Sequence, residues 1–416
     1  MTDLTWIDTA LKSARPQAVA ALLRFFRGDL DRAEEAFQEA CLRALQSWPE
    51  KGPPRDAAAW LIFVGRNSGV DEGRRSRKHV ALPEEDILTD GEDVQDDMAE
   101  RLDGAQYRDD ILRLLFICCH PDLPNTQQIA LALRIVSGLT VAEIASAFLV
   151  SESAMEQRIT RAKRRIAEAG TEFATPGAVE RAGRLGVVAA MLYLLFNEGY
   201  SASGGEAHIR KPLCDEAIRL SRLLLRLFPS ETEIMGLTAL MLLQHARADT
   251  RLDGEGQIVL LEDQDRGRWD IGMITEGLAL LDKAMRHAKP GPMLVQAAIA
   301  ALHAQAAKAA DTDWVQIERL YATLEKIQPS PVITLNRAVA VLKASGPEAA
   351  LEMIAPLAPA LANYFYFYGV QGALLQELGR DEEARIAFDR AIALARTPAE
   401  AAHIRQHLDR LGQKIA

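Results

Sequence analysis

The span from Leu139 to Ala167, LTVAEIASAFLVSESAMEQRITRAKRRIA, is where residue types and spacing first suggest chemistry. Val141, Ile144, Ala145 and Phe148 fall at helical spacing, with Thr140 as N-cap and Glu143 completing a capping box. After the break Leu149-Val150-Ser151, Ser151 caps a second helix whose buried face is Ala154, Met155, Ile159, Ala162 and Ile166. The opposite face carries Glu156, Gln157, Arg158, Thr160, Arg161, Lys163, Arg164 and Arg165. Two short helices, a tight turn and a basic second helix describe a helix-turn-helix. In that motif the start of the second helix enters the DNA major groove and the cations behind it meet phosphates. The competing reading is a surface helix whose charges are merely solvated. The density of cations and the capped helix just upstream weigh against it.

The rest of the chain bounds what such a motif can serve. A length of 416 residues implies two to three domains. Hydrophobic residues make up 49%, ample for cores, and the net charge is -10. A chain of that sign cannot coat nucleic acid along its whole surface, so contacts must lie on local basic patches. Cys41, Cys118, Cys119 and Cys214 show neither metal-ligand nor disulfide spacing, and the adjacent pair is expected as buried thiols. Without a signal peptide or a bilayer-length apolar run, a cytoplasmic location is expected.

Three helices are expected before residue 79. Ala18 to Phe26 is apolar and ends at Gly28. Leu30 to Trp48 is amphipathic, with core positions Ala33, Phe37, Ala40, Cys41, Ala44 and Leu45 and an exposed face of Asp31, Glu34, Glu35, Gln38 and Glu39. A third begins near Asp56, runs through Trp60, Leu61, Val64 and Val70, and ends in the basic run Arg74, Arg75, Arg77, Lys78. Gly65, Gly69 and Gly73 weaken it or give it a flat packing face. From Val80 to Gly104 acids crowd against one base, Arg101, as in a mobile acidic linker. Helices from Tyr107 to His120 and from Gln127 to Ser137, the latter capped by Asn125 or Thr126, lead into the helix-turn-helix.

Three segments carry a family resemblance: DRAEEAFQEACLRALQSW, AAWLIFVGRNSGVDEGRRSRK and LTVAEIASAFLVSESAMEQRITRAKRRI. Together they resemble the sigma-70 family, and more narrowly its extracytoplasmic-function (ECF) members. DDILRLLFICCHPDL, LLFNEGYSASGG, LLEDQDRGRWD and DTDWVQIERLY are similar to the ECF subgroup with a long C-terminal helical extension. The resemblance implies an all-α fold: two small helical sigma domains, an acidic linker, then an α-solenoid of tetratricopeptide-like hairpins. The expected division is region 2 at 1–79, linker at 80–105, region 4 at 106–170 and a helical regulatory domain at 171–416. It implies core RNA polymerase and promoter DNA as partners. Asp31, Glu34, Glu35, Gln38 and Glu39 would dock on the β′ clamp helices. Trp60, Arg66, Asn67, Asp71, Arg74, Arg75, Arg77 and Lys78 would open and read the −10 element. Ser153, Glu156, Gln157, Arg158, Arg161, Lys163, Arg164 and Arg165 would read the −35 element, with region 4 on the β flap. The linker would thread toward the RNA exit path. Apart from the resemblance, the size of the C-terminal helical domain and its lack of catalytic groups lead to the expectation that it packs on the sigma domains and modulates them.

After Gly170, helices are expected at Arg181–Asn197, Pro212–Phe228, Glu231–Ala248, Ile271–His287, Met293–Ala309, Trp314–Ile327 and Pro331–Ala344. Tyr368, Gly372, Leu375, Gly379, Ala384, Phe388 and Ala391 fit one tetratricopeptide repeat. Asn336, Ala338, Val341, Gly346, Ala350 and Ile354 fit a second, weaker one. Leu252 to Trp269 interrupts the pattern. It is expected as a loop pinned by Trp269 and Arg268; the alternative is a ligand or metal site built with Asn197, Glu198 and Tyr200. The Asp residues there lack a calcium-loop pattern, and His120, His208, His245 and His303 lack an i, i+4 partner for zinc. No cofactor is expected, and no Ser-His-Asp arrangement or P-loop supports an enzyme. A dimeric helix-turn-helix repressor is the remaining alternative. It leaves the acidic helix and the basic edge at Arg74 to Lys78 without a role.

Overall fold

The computed structural model describes residues 5–52, 54–75, 105–120, 122–148, 150–169, 178–200, 211–254, 258–286, 290–395 and 398–415. Among these, all regular structure is helical apart from one antiparallel bridge between Leu252 and Ile258. The chain divides into two compact units, Met1–Leu194 and Leu195–Ala416. No helix among the described residues is long and apolar enough to cross a membrane. The expected linker lies outside the described residues.

In the first unit, α1 (Thr5–Phe25) is the central helix. It packs on α2 (Leu30–Lys51), α3 (Ala57–Arg75), α4 (Ala105–Cys118) and the π turn Leu133–Ser137. Its apolar stripe, including Ile7, Ala18, Val19, Leu22 and Leu23, is buried. Left-handed backbone at Arg27 and Gly28 (φ 54° and 94°) stops it. Asp29 then caps α2 by accepting from Arg32 N at 3.1 Å. Asp56 caps α3 by accepting from Ala58 N and Ala59 N at 2.8 and 3.0 Å. Gly65 of α3 lets the helices approach closely, since a Cβ there would lie 3.0 Å from Ala36 O of α2. Trp48 stacks on Trp6 and meets Trp60 edge-on, closing the end of this bundle.

The later module is α4, α5 (Asn125–Ala132), α6 (Val141–Ala147) and α7 (Glu152–Ala169). Pro124 occupies the N-cap of α5 with no side-chain cap, so neither Asn125 nor Thr126 serves there as expected. A wide π turn, Leu133–Ser137, continues α5 to Gly138. Gly138 sits at φ 76°, and a Cβ there would meet Arg15 Cδ at 2.6 Å. Cys118 and Cys119 are buried, as expected. Burial raises both thiols, Cys119 to about 12, so neither is a reactive thiolate.

The second unit follows the end of α8 (Ala178–Tyr200). Its helices are α9 (Lys211–Leu227), α10 (Thr232–His245), α11 (Ile271–Met285), α12 (Pro292–Gln305), α13 (Trp314–Ile327), α14 (Pro331–Ser345), α15 (Pro347–Ile354), α16 (Phe365–Glu377), α17 (Asp381–Leu394) and α18 (Pro398–Ile415). From α9 onward each packs on the next. The α16–α17 hairpin uses the residues of the repeat spacing. Gly379 turns it at φ 70°, and Ala384, Phe388 and Ala391 are fully buried. Gly372 faces the Phe388 ring, where a Cβ would approach to 2.5 Å. The weaker repeat also places Ala338, Val341, Ala350 and Ile354 in one cluster.

The interrupting segment is pinned by Trp269, which is buried and donates Nε1–H to Thr250 Oγ1 at 3.0 Å. Arg268 reaches only Asp249 O, at 3.5 Å. The clamp is instead Arg266, which donates to His303 O and Ala306 O and lies 4.8 Å over the Trp269 ring. Burial, reinforced by Arg247 and Arg266, lowers His303 from 6.5 to about 4. The unfolded chain therefore binds a proton that the folded unit refuses between those values. Stability is full above 6.5 and falls as pH drops, by up to about 3 kcal/mol near pH 4. Urea midpoints measured at pH 7 and pH 4.5 should show this loss for the second unit, and His303→Gln should remove most of it.

Candidate nucleic-acid and docking surfaces

The buried face of α7 is Met155, Ile159, Ala162 and Ile166, each at most 7% exposed. The N-terminus of α6 carries the capping box read from the sequence. Thr140 Oγ1 accepts from Glu143 N at 3.1 Å, and the Glu143 carboxylate accepts from Thr140 N at 2.7 Å. Those bonds hold Glu143 below its ordinary range. Ser151 Oγ accepts from Ala154 N at 3.3 Å, starting α7 where expected. With both helix starts fixed, the packed side of α7 determines the free side. Ser153, Glu156, Gln157, Thr160, Arg161 and Arg164 are exposed and Arg158 is half-buried. Arg161 donates to Gln157 Oε1 at 3.3 Å, joining two of the candidate base-reading groups. Arg165, also exposed, is tethered to Asp122 O at 3.2 Å.

Lys163 departs from the expected surface. Its ammonium donates to Asp31 Oδ1 at 2.8 Å and Glu34 Oε2 at 2.5 Å, both on α2. Burial alone would lower Lys163, but Glu34 and the two hydrogen bonds outweigh it and the net shift is upward. Its charge is therefore engaged inside the unit and not presented with its neighbours.

Glu34 is the matching correction on α2. Expected on the exposed face, it is 5% exposed. Besides Lys163 it accepts from Arg15 at 3.3 Å, with Arg134 at 3.9 Å. Arg15 in turn donates to Ile135 O at 3.0 Å and Arg134 O at 3.1 Å, and lies 4.8 Å over the Phe37 ring. Arg24 pairs with Asp110 of α4 at 2.8 Å. These contacts join the early and late modules into one unit. Neither Arg15 nor Arg134 stands out by spacing; the signal available was a charge set in an apolar run.

The remaining ridge of α2 is exposed at Asp31, Glu35 and Gln38 and half-buried at Glu39. Leu45, expected in the core, is 51% exposed, and Leu42 beside it is 57% exposed. The ridge thus combines carboxylates with two leucines at helical spacing, a surface suited to a partner helix with cations and an apolar stripe.

On α3, Trp60 is half-buried against Trp48 and Asn67 is exposed. Arg66 lies 4.5 Å over the Phe25 ring, and burial followed by Arg24 lowers its pKa. Asp71, Arg74 and Arg75 lie on the last turns of α3, while Arg77 and Lys78 fall outside the described residues.

Residues 12–79 match the sigma-70 region 2 family, and residues 113–166 match the sigma-70 region 4 family. Residues 184–285 match a family of unknown function, DUF6596. An uncharacterized protein of Rhizobium meliloti (strain 1021) is 66% identical over 416 residues, which span 100% of this chain and 98% of the relative.

Proposed function

Since this chain belongs to the sigma-70 family as an RNA polymerase sigma factor with a C-terminal extension, we propose that it acts as an ECF-type promoter-specificity factor. It binds core polymerase, recognises −10 and −35 elements and initiates transcription. The observation that supports this most is the free polar face of α7, with its capped partner helix α6, in a chain that matches both sigma regions. Ser153, Glu156, Gln157, Arg158 and Arg161 read base edges and nearby phosphates of the −35 element, with Arg164 and Arg165 on the backbone. The −10 element is held by Trp60, Arg66, Asn67, Asp71, Arg74, Arg75, Arg77 and Lys78. Asp31, Glu35, Gln38 and Glu39 dock on the β′ clamp helices, with Leu42 and Leu45 as the apolar part. Lys163 and Glu34 become available to DNA and polymerase only when the two modules part. The β flap takes the late module, and the C-terminal helices modulate the output.

Reconstitution tests this. Core polymerase with the purified chain is expected to be retained on the chain and to transcribe from a subset of a random promoter library. Absence of both retention and transcript would dismiss the reading. Gln38→Ala with Leu42→Ala is expected to weaken core binding while leaving the melting temperature unchanged; normal affinity would remove the ridge from the docking surface. Arg158→Ala is expected to weaken promoter binding by about 1–3 kcal/mol and relax preference within the −35 element. An equal loss on every sequence would make Arg158 a phosphate contact alone.

A further inference from the structure

Two cavities of about 1010 and 580 Å³ lie in the second unit and share Leu260, Leu261, Glu262, Asn336, Val339 and Lys343 on their walls. Both fall in the size range of small-molecule sites. The interrupting segment 258–266 forms the wall between them. Tyr200 lines the larger cavity, whereas Asn197 and Glu198 do not.

Arg247, Arg251 and Lys343 line the larger cavity together with Glu262, Glu377 and Glu400, whereas Arg266 and Lys343 line the smaller one with Glu262 as its carboxylate. Arg247 donates to Tyr200 Oη and Arg251 donates to Tyr200 O, each at 2.5 Å. Their guanidinium carbons lie 5.8 and 3.7 Å from the Tyr200 ring centroid. Arg266 lines the smaller cavity with His303 and Thr312. Among the described residues none of the three arginines forms an ion pair with a carboxylate. Burial disfavours the charge on Arg251 and on Arg266, and Arg247 pushes each further the same way. Glu262, the carboxylate at the junction, is already paired with Lys343 at 2.9 Å.

The smaller cavity also holds unmet hydrogen-bonding groups. Arg266 Nε, His303 Nδ1 and Thr312 Oγ1 are all buried without a partner. Thr312 is 7% exposed. Each such group costs about 1–3 kcal/mol when unsatisfied, and all three belong to residues that line the smaller cavity, so an occupant that hydrogen-bonds them is favoured. A guanidinium can only donate, so the group facing it must be an acceptor. An oxyanion supplies that acceptor and the missing negative charge together. Leu260, Leu261 and Val339 give an apolar wall for the remainder of the molecule.

We propose that the second unit binds a small organic oxyanion, a carboxylate or phosphate monoester on an apolar body, in the smaller cavity against Arg266 and Thr312. This goes beyond promoter recognition, and its readout needs neither DNA nor polymerase. The experiment uses the full-length protein with 8-anilinonaphthalene-1-sulfonate as fluorescent anionic probe. Benzoate, phenyl phosphate and neutral benzyl alcohol compete for it. One saturable probe site is expected, displaced by benzoate or phenyl phosphate and not by benzyl alcohol. The stronger anionic competitor identifies the head group. Arg266→Gln is expected to raise the Kd for the probe about tenfold, roughly one lost charge-assisted contact. Thr312→Val removes a hydroxyl that has no partner, so it should keep or raise the melting temperature while weakening the anions. A purely structural Thr312 would not divide those two readouts. Absence of a saturable site, equal displacement by benzyl alcohol, or unchanged binding in Thr312→Val overturns the proposal. Stronger displacement by a peptide with a free C-terminal carboxylate than by either small anion overturns the small-ligand assignment.

Discussion

Glu34→Ala is expected to cost the first unit about 3–5 kcal/mol, because it strips the counter-charge from a buried guanidinium. Arg15 and Glu34 expose only 9% and 6% of their side chains, so water cannot replace what is lost. Lys163 would lose its shortest contact at the same time, keeping only Asp31 at 2.8 Å. Chemical denaturation of the full chain measures this directly. Glu35→Ala, one residue on and exposed, provides the comparison and is expected to stay within about 0.5 kcal/mol of the parent. Equal losses from the two substitutions would mean that the Arg15–Glu34–Lys163 cluster does not join the modules.

The second large effect is expected at Gly236 in the middle of α10. An added Cβ would lie 2.7 Å from Leu294 N and 2.8 Å from Leu294 Cα, both backbone atoms of α12. A side chain can swing away from such a clash, but a helix backbone must move as a whole. The same junction holds a cap between helices: the Glu233 carboxylate accepts from Met293 N at 3.1 Å and Leu294 N at 3.4 Å. Separating the helices stretches both bonds. Gly236→Ala should therefore fall at the upper end of the roughly 1–3 kcal/mol usual for overpacking. Its signature is loss of the second unit's transition with the first unit's unchanged. Gly254→Ala, where nothing lies within 4 Å, should leave both transitions in place.

Much of this architecture is legible in the sequence wherever the rule is local. The Thr140–Glu143 box needs partners three residues apart, and both of its bonds form. Gly372 and Phe388 are paired by repeat spacing and meet as that spacing requires. Spacing fails where a partner arrives from far along the chain. Glu34 lies on the polar side of α2, and periodicity alone places it in water. It is buried because Arg15, 19 residues before it, and Lys163, 129 residues after it, cover that position. Leu45 fails in the opposite sense: it continues an apolar pattern, yet the neighbouring helices bury only the stripe through Ala33, Phe37, Ala40 and Ala44. The helix expected from Gln127 to Ser137 widens to a π turn over Leu133–Ser137. Its Arg134 and Ile135 carbonyls lie in the last turn, where helical donors run out, and Arg15 supplies the missing N–H groups. On the candidate surfaces, the exposed edge of α7 follows from its own pattern. The loss of Lys163 from that edge does not.

The bridging of the modules through Arg15 and Lys163 has a consequence in length. On the proposed reading, two promoter elements centred ten and thirty-five positions upstream lie about 85 Å apart on duplex DNA, at roughly 3.4 Å per base pair. A compact body of the first unit's size has a radius of gyration of about 16 Å and cannot reach both. Residues 76–104, which separate α3 from α4, can extend to at most about 100 Å by covalent geometry alone. On that reading the chain is long enough to span both elements only once the salt links across α1, α2 and α7 have parted. A promoter that needs both modules apart would then bind with its intrinsic affinity scaled down by the fraction of molecules that has opened.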